Sequence, residues 1–439
     1  MLAQLTAPIH REFFRRIAIA LTLGILSVIS ACRQASQNDL ALLSQQKTAS
    51  EEDKQLALLA PDNPFEQADQ SLQPDIAKAG AYQSIPENKQ TETPDTYVVV
   101  DEFKSPVFTI KKGDLFKDTQ IPNSAIDYDE TALLSVLQQT RAYFQNYYQT
   151  DPNLPEAGAL AMHGITPIDV FNTLSFMITV LQEDIQLGQP TRLKDPTFIN
   201  QHFRALEWRP YNPQDAYQET LRITKYAIFS SPGSTVKTDV FNTPLYRLEE
   251  AYADTLFYKN YSKQDVLSGI YEPGGIEFGK ATPLTYLSRA GLEEALLQGT
   301  LSVTFPDGTS TYFNVDRNNG VAYVKGLAAS EQRRYWYFKQ TDAIKGYGQS
   351  FETKIPIEPG VTFAGDIANI GLGKIIAIEH ATSGAPEINL GVIADTGGAF
   401  APNLFQLDLL AGIYPDRPAF AASTGHLPSY AKAYILIKK

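Results

Sequence analysis

The chain has 439 residues, enough for two or three domains of ordinary size, and with 43% hydrophobic and 11% aromatic residues it can bury a substantial core. A net charge of -12 and a pI near 5.0 argue against a nucleic-acid or anionic-membrane surface. The lone cysteine excludes an intramolecular disulfide and a thiolate zinc site, and the five histidines show no metal-ligand spacing, so neither metal nor cofactor is expected.

The first element is an address. Arg11, Arg15 and Arg16 precede an apolar run, Ile17–Ala31, of about 15 residues. That is short of the roughly 20 needed to span a bilayer, and it reads as a secretory signal over residues 1–31. The run ends in Ile29-Ser30-Ala31-Cys32, which looks like a bacterial lipobox; Cys32 would then be lipidated and open the mature chain. Residues 32–95 are rich in Gln, Asp, Ser, Glu, Pro and Ala with almost no aromatics, a composition that cannot bury enough apolar surface to order itself. This segment reads as a tether, and together the two place the chain in the cell envelope, lipid-anchored; Arg33 after Cys32, a non-aspartate, resembles lipoproteins of the outer membrane, which implies its periplasmic face.

Order should begin near Tyr97-Val98-Val99-Val100. Asp129–Gln149 reads as a helix, with Leu133, Leu134, Leu137, Tyr143, Phe144 and Tyr147 at helical spacing. Pro167–Leu187 reads as a second, with proline in its first turn and Gly188 after its end. A third is expected over Thr197–Glu207, making 96–225 mainly helical. Beyond it the pattern alternates. Leu301–Phe305 and Thr311–Val315 flank the turn Pro306-Asp307-Gly308-Thr309 and read as a hairpin. Further short strands are expected at Lys374–Glu379, Ile388–Ala394, Leu404–Leu410 and Ala433–Ile437. The fold class is therefore α+β and β-rich: a helical N-terminal block, a small β domain over 226–345, and a C-terminal β-barrel over 346–439.

Three aspartates stand out. Asp366 lies in Ala364-Gly365-Asp366-Ile367, Asp395 opens Asp395-Thr396-Gly397-Gly398-Ala399-Phe400, and Asp408 sits in Phe405-Gln406-Leu407-Asp408-Leu409-Leu410. In an extended strand Leu407 and Leu409 share one face, and Gln406 and Asp408 the other. If that second face is covered too, desolvation disfavours the Asp408 anion and raises its pKa. Gly397 and Gly398 permit close backbone approach.

These elements resemble the three-aspartate "3D" module, a six-stranded double-psi β-barrel, of membrane-bound lytic murein transglycosylases of the MltA type. The resemblance covers roughly 220–439. Upstream, Gln298-Gly299-Thr300 looks like the start of the family's Gln-Gly-Ser-Gly stretch, and Asn318-Asn319-Gly320-Val321-Ala322-Tyr323 like its Asn-Gly-x-x-Tyr element. Asn242–Tyr246 and Tyr286–Arg289 also fit. The chain departs from the pattern at Ala399-Phe400-Ala401-Pro402, where the family has Ala-Ile-Lys-Gly. It departs again at Val321, where histidine is common, and in a longer interval between Asp395 and Asp408.

The resemblance implies cleavage of the β-1,4 bond between N-acetylmuramic acid and N-acetylglucosamine, leaving 1,6-anhydro ends. It assigns Asp408 as the single general acid/base and Asp395 as its catalytic partner, either raising the Asp408 pKa by its charge or holding Asp408 or a sugar hydroxyl through hydrogen bonds. Gln298, Gly299, Asn319, Gly320, Tyr323, Gly397, Gly398 and Asp366 would contact the glycan, although of the three aspartates Asp366 is the one expected to serve the structure. The partners implied are peptidoglycan strands, the anchoring membrane and cell-wall synthesis or division proteins. The segment Arg333–Phe338 either lines a glycan groove or is core with surface arginines, and Tyr271–Gly275 is either a family element or a plain loop. Two other functions stay open. One is a non-catalytic glycan-binding or scaffold lipoprotein. The other is an aspartic-type protease, suggested by Asp395-Thr396-Gly397, although that chemistry needs a second such loop.

Overall fold

A computed structural model describes residues 96–100, 106–154, 158–209, 220–324, 326–381, 385–400 and 403–439, all within one compact unit, Ala81–Lys439. The signal run, Cys32 and the tether lie outside the described residues. The unit is strand-rich α+β, as its alternating segments require.

A first hairpin pairs β1 (Thr96–Val100) with β2 (Pro106–Lys111). After the short strands β3 (Phe116–Thr119) and β4 (Ala125–Asp127) come the two long helices, α1 (Glu130–Tyr147) and α2 (Pro167–Leu187). Their ends are chemically marked. Asp129 accepts from the Ala132 N–H; Thr166 and Asp169 form a capping box with Pro167 in the first turn; Gly188 closes α2 at φ 63.

The third expected helix is shorter than its pattern. It spans α3 (Pro196–His202), and Phe203–Trp208 is a strand, β5. That strand pairs with the C-terminal strand β16 (Tyr430–Lys438) and with β3, burying Phe203, Leu206 and Trp208. Tertiary pairing against an otherwise open strand outweighs local helix propensity there. The segment 96–225 is accordingly mixed, two long helices among short strands.

The strand β6 (Leu221–Ser234) runs through two layers. Its first part pairs in parallel with β15 (Gln406–Tyr414) and touches β16 at Tyr430 and Ala431. Between those partners lie β12 (Thr362–Ala364), β14 (Glu387–Asp395) and β13 (Ile375–His380), in the order β6-β15-β12-β14-β13-β16. Because β16 returns to β6, these six strands close on themselves as a barrel, which removes the sheet edges. One stave thus comes from 221–234, ahead of the other five. Space inside is tight: a Cβ at Gly391 would lie 2.5 Å from the Val361 carbonyl oxygen and 2.7 Å from the Phe363 ring, so only glycine fits.

The far end of β6 continues into a second layer. There β9 (Thr300–Thr304), β10 (Ser310–Asn318) and β11 (Trp336–Thr341) extend the sheet, and β7 (Thr243–Leu248) pairs with β8 (Ala281–Leu287). The hairpin β9–β10 is the expected one, its turn held by Asp307 and by Gly308 at φ 83. The small helices α4 (Glu250–Ala253), α5 (Lys263–Leu267) and α6 (Arg289–Gln298) flank this layer. Its core is aromatic: Tyr246, Tyr258, Tyr271, Tyr335, Tyr337 and Phe338 are all buried, with the Tyr271 and Tyr337 hydroxyls 2.6 Å apart. Tyr335, Tyr337 and Phe338 are therefore core residues, and so is Tyr271. The last helix, α7 (Arg417–Thr424), follows β15. Among the described residues no helix is long and apolar enough to cross a membrane.

Candidate active site

The register of three barrel strands assembles the site. Ala364 on β12 stands opposite Asp408 on β15 and opposite Asp395 on β14. The second pairing exists only because the register shifts after Phe363, which partners Ile393. Such a bulge adds one residue to a strand and re-aims the side chain that follows. The two carboxylates therefore flank a small alanine, their Cα atoms two strand spacings apart, roughly 10 Å. The neighbouring strand β6 places Thr224 opposite Asp408 and Tyr226 opposite Leu410.

Each carboxylate is held by donors. The Tyr226 hydroxyl donates to Asp395 Oδ2 at 2.6 Å, and the Thr396 N–H to Oδ1 at 2.8 Å. The Gln406 amide donates to Asp408 Oδ1 at 2.8 Å and to Thr224 Oγ1 at 2.8 Å. Burial pushes Asp395 up to about 6, against the pull of Tyr226, Thr396 and nearby Lys354; the Asp408 charge adds to the rise. Asp408 is raised too, chiefly by burial, and Gln406 and Arg222 oppose it. Leu407 and Leu409 are buried on the opposite face, as the alternation predicts.

Asp395 and Tyr226 open onto a cavity of about 310 Å³, at the lower end of the volumes that hold ligands, roughly 300–1,000 Å³. Its walls come from both layers: Gln298, Gly299 and Thr300 at the end of α6, Asn314 and Val315 of β10, and a loop from Ile344 to Ile357 that carries Lys354 and Tyr347. Gln298 is fixed by accepting from the Phe229 N–H at 2.8 Å and donating to Glu294 at 3.1 Å. The loop is braced from below. Buried Asp151, just past α1, accepts from the hydroxyls of Tyr143 (2.8 Å) and Tyr347 (3.0 Å) and from the Gln349 amide (2.9 Å).

The residues singled out from the sequence divide. Asp395, Gln298 and Gly299 line the cavity, and Asp408 stands two strands from Asp395, across Ala364. Gly397 and Gly398 follow Thr396 in open space. Ala401 and Pro402 lie outside the described residues, whereas Phe400 is buried. The other assignments to glycan contact meet a different geometry. Asp366 is 0% exposed and is consumed by the Asn369 N–H, the Asn369 amide and the Asn403 N–H, so it pins the chain ahead of β15. Asn319 is 2% exposed and spends its amide on Tyr261, Arg333, Tyr335 and Val321. Gly320 makes the adjoining turn at φ 76. Tyr323 is 49% exposed; Arg334 lies between its ring and that of Trp336, which in turn faces Gly299.

Tyr226, Lys354 and Tyr347 were not visible from the sequence. Alternation along Arg222-Thr224-Tyr226 would show that these share a face, but not that β6 pairs with a strand 180 residues later. Lys354 and Tyr347 come from a loop and carry no periodic signal. Among the described residues no group of three His, Cys, Asp or Glu side chains is placed to hold a metal.

Removing the Tyr226 hydroxyl takes away a donor that favours ionised Asp395. Tyr226→Phe should raise the Asp395 pKa above 6 by about one to two units, since hydrogen bonds to charged groups are worth roughly 1.5–3 kcal/mol. Carboxylate titration followed by ¹³C NMR reads this directly; an unchanged or lowered midpoint contradicts it.

No protein-family model matches this chain, and neither does any curated protein. Among solved structures it is similar to a membrane-bound lytic murein transglycosylase from Agrobacterium tumefaciens at 16% identity, over 74% of this chain and 97% of that one, with a TM-score of 0.49. E. coli MltA with bound chitohexaose is similar at 17% identity, over 74% and 94%, with a TM-score of 0.48. MltA from Neisseria gonorrhoeae follows at 14% identity, over 74% and 93%, with 0.47.

Proposed function

We propose that this chain is a peptidoglycan lytic transglycosylase in which Asp408 performs both proton transfers. The observation that carries the reading is the three-strand register: it sets Asp408 and Asp395 on either side of Ala364, with Asp395 lining a cavity walled by Gln298 and Gly299. These are the residues through which the sequence resembles the MltA type.

The protonated Asp408 carboxyl gives its proton to the oxygen of the β-1,4 bond, and the bond from that oxygen to muramyl C1 breaks. The muramyl C6 hydroxyl attacks C1, and the Asp408 carboxylate takes the hydroxyl proton, regenerating the acid. Glycosidases that use water need two carboxyl groups. Here the nucleophile belongs to the substrate and proximity replaces one of them. Burial supports the protonated start, because it raises Asp408 above the ordinary value near 3.9. Asp395, poised near 6 and held by Tyr226, takes part of its rise from the Asp408 charge, so the two carboxyls titrate as a coupled pair beside the site. In this reading Cys32 is the lipidation site and residues 32–95 carry the folded unit away from its membrane in the cell envelope.

Incubation of the full chain with purified peptidoglycan, followed by mass analysis of the products, tests the proposal. Anhydro-muropeptides, one water lighter than hydrolysis products, are the expected result. Reducing ends instead would mean a hydrolase, intact glycan with retained binding would mean a scaffold, and protein cleavage would mean a protease.

A further inference from the structure

We infer that Lys354 recognises the free lactyl carboxylate of a muramyl residue, so that glycan strands stripped of their peptide stems are the favoured substrate. This rests on the glycan-cleaving reading above.

Lys354 is a half-buried cation in the wall of the cavity that holds Asp395. Its ammonium donates to Asn314 Oδ1 at 2.5 Å and to the Val315 carbonyl at 2.7 Å. Asn314 is itself buried and fixed, donating to Thr300 Oγ1 at 2.6 Å. The cation is therefore held in place, and by neutral oxygens. Asp395, Asp316 and Glu352 act on it only through space. An ammonium has three N–H donors, and these two bonds leave one for a ligand. The other lysine of the cavity, Lys345, differs: it pairs with Asp342 at 3.6 Å. Among the described residues Lys354 has no ion-pair partner, and a desolvated charge in that state is costly, so it marks a place where an anion is gained rather than merely tolerated.

Of the two sugars that alternate in peptidoglycan, only the muramyl residue carries a lactyl ether. With a peptide attached, its acyl oxygen is a neutral amide carbonyl. With the peptide removed it is a carboxylate, and the hydrogen bond from the Lys354 ammonium becomes an ion pair as well, with both donor and acceptor charged. The reaction that supplies such a substrate is amide hydrolysis at the lactyl group.

The test uses the full chain carrying Asp408→Asn, so that glycans bind without being cleaved. Affinity is measured for peptide-free glycan oligomers, for peptide-bearing ones and for chitohexaose, which has no lactyl group. The peptide-free glycan should bind tighter than either by about ten- to a hundred-fold, the range expected of one hydrogen bond to a charge. Adding Lys354→Met should erase that preference while chitohexaose binding stays the same, and Lys354→Arg should keep the preference. Equal affinity for all three glycans with Lys354 present overturns the inference and leaves the glycan reading intact. Loss of all three alike in Lys354→Met assigns it to scaffolding and overturns the inference too. Binding of none of the glycans, with Lys354 present, overturns both.

Discussion

Asp408→Asn should lower glycan cleavage at least ~10³-fold while leaving the melting temperature and glycan affinity close to those of the parent. The magnitude follows from the double duty of the group. General acid–base catalysis by one side chain is worth about 10²–10⁴-fold per proton transfer, and here a single carboxyl serves both transfers. The specificity of the effect follows from geometry. Asn keeps the Oδ1 acceptor that Gln406 holds at 2.8 Å, keeps the volume on β15, and leaves the Leu407 and Leu409 side untouched. Only the exchangeable proton is lost. Activity should also fall as the pH rises through the raised Asp408 pKa, because the ionised carboxyl has no proton to give to the glycosidic oxygen. Release of anhydro ends, read by mass across pH 4–9 alongside melting curves, checks all of this. A variant that retains a tenth of the parent's rate would remove Asp408 from the chemistry, and a variant that fails to melt cooperatively would assign it to the fold instead.

How much of this was legible beforehand can be judged residue by residue. The helices α1 and α2 were readable because their apolar spacing, Asp129, Thr166, Pro167 and Gly188 all agree locally. The face that Asp408 shares with Gln406 was readable because strand alternation has a period of two whatever the partner strand. The pairing of Phe203–Trp208 with β16 was not, since nothing near 203 encodes a strand more than 220 residues away. Barrel closure through β6 was hidden for the same reason. The bulge that swings Asp395 opposite Ala364 depends on register, and register is a property of two strands together. Asn319 and Asp366 illustrate the converse difficulty. Their motif was visible, but a polar side chain that organises a loop and one that greets a substrate look alike in sequence. Burial and the count of internal partners separate them.

Lys374→Met should stabilise the fold, by more at pH 6 than at pH 9.5. Lys374 opens the approach to β13 and is 2% exposed; among the described residues its ammonium reaches only the Leu372 carbonyl oxygen, at 3.4 Å. At the neighbouring Gly373 the Phe144 and Leu174 side chains of the two long helices press close. Burial alone depresses the amine to about 7 from its usual value of 10.5. In the unfolded chain the same amine keeps its proton until about pH 10.4. Between about 7 and 10.4 the unfolded state thus binds more protons, and stability rises with pH; below 7 both states are charged and the full burial penalty stands. Across that interval the penalty amounts to ~4–5 kcal/mol, an upper bound on what an apolar replacement can recover. Methionine matches the length of the lysine stem and adapts to irregular packing, so the expected gain is about 2 kcal/mol or more at pH 6. It should shrink steadily toward pH 9.5, where the lysine is already neutral in the fold. Denaturant midpoints of parent and variant at the two pH values provide the comparison. An equal gain at both would mean that packing, not protonation, limits the stability of this site.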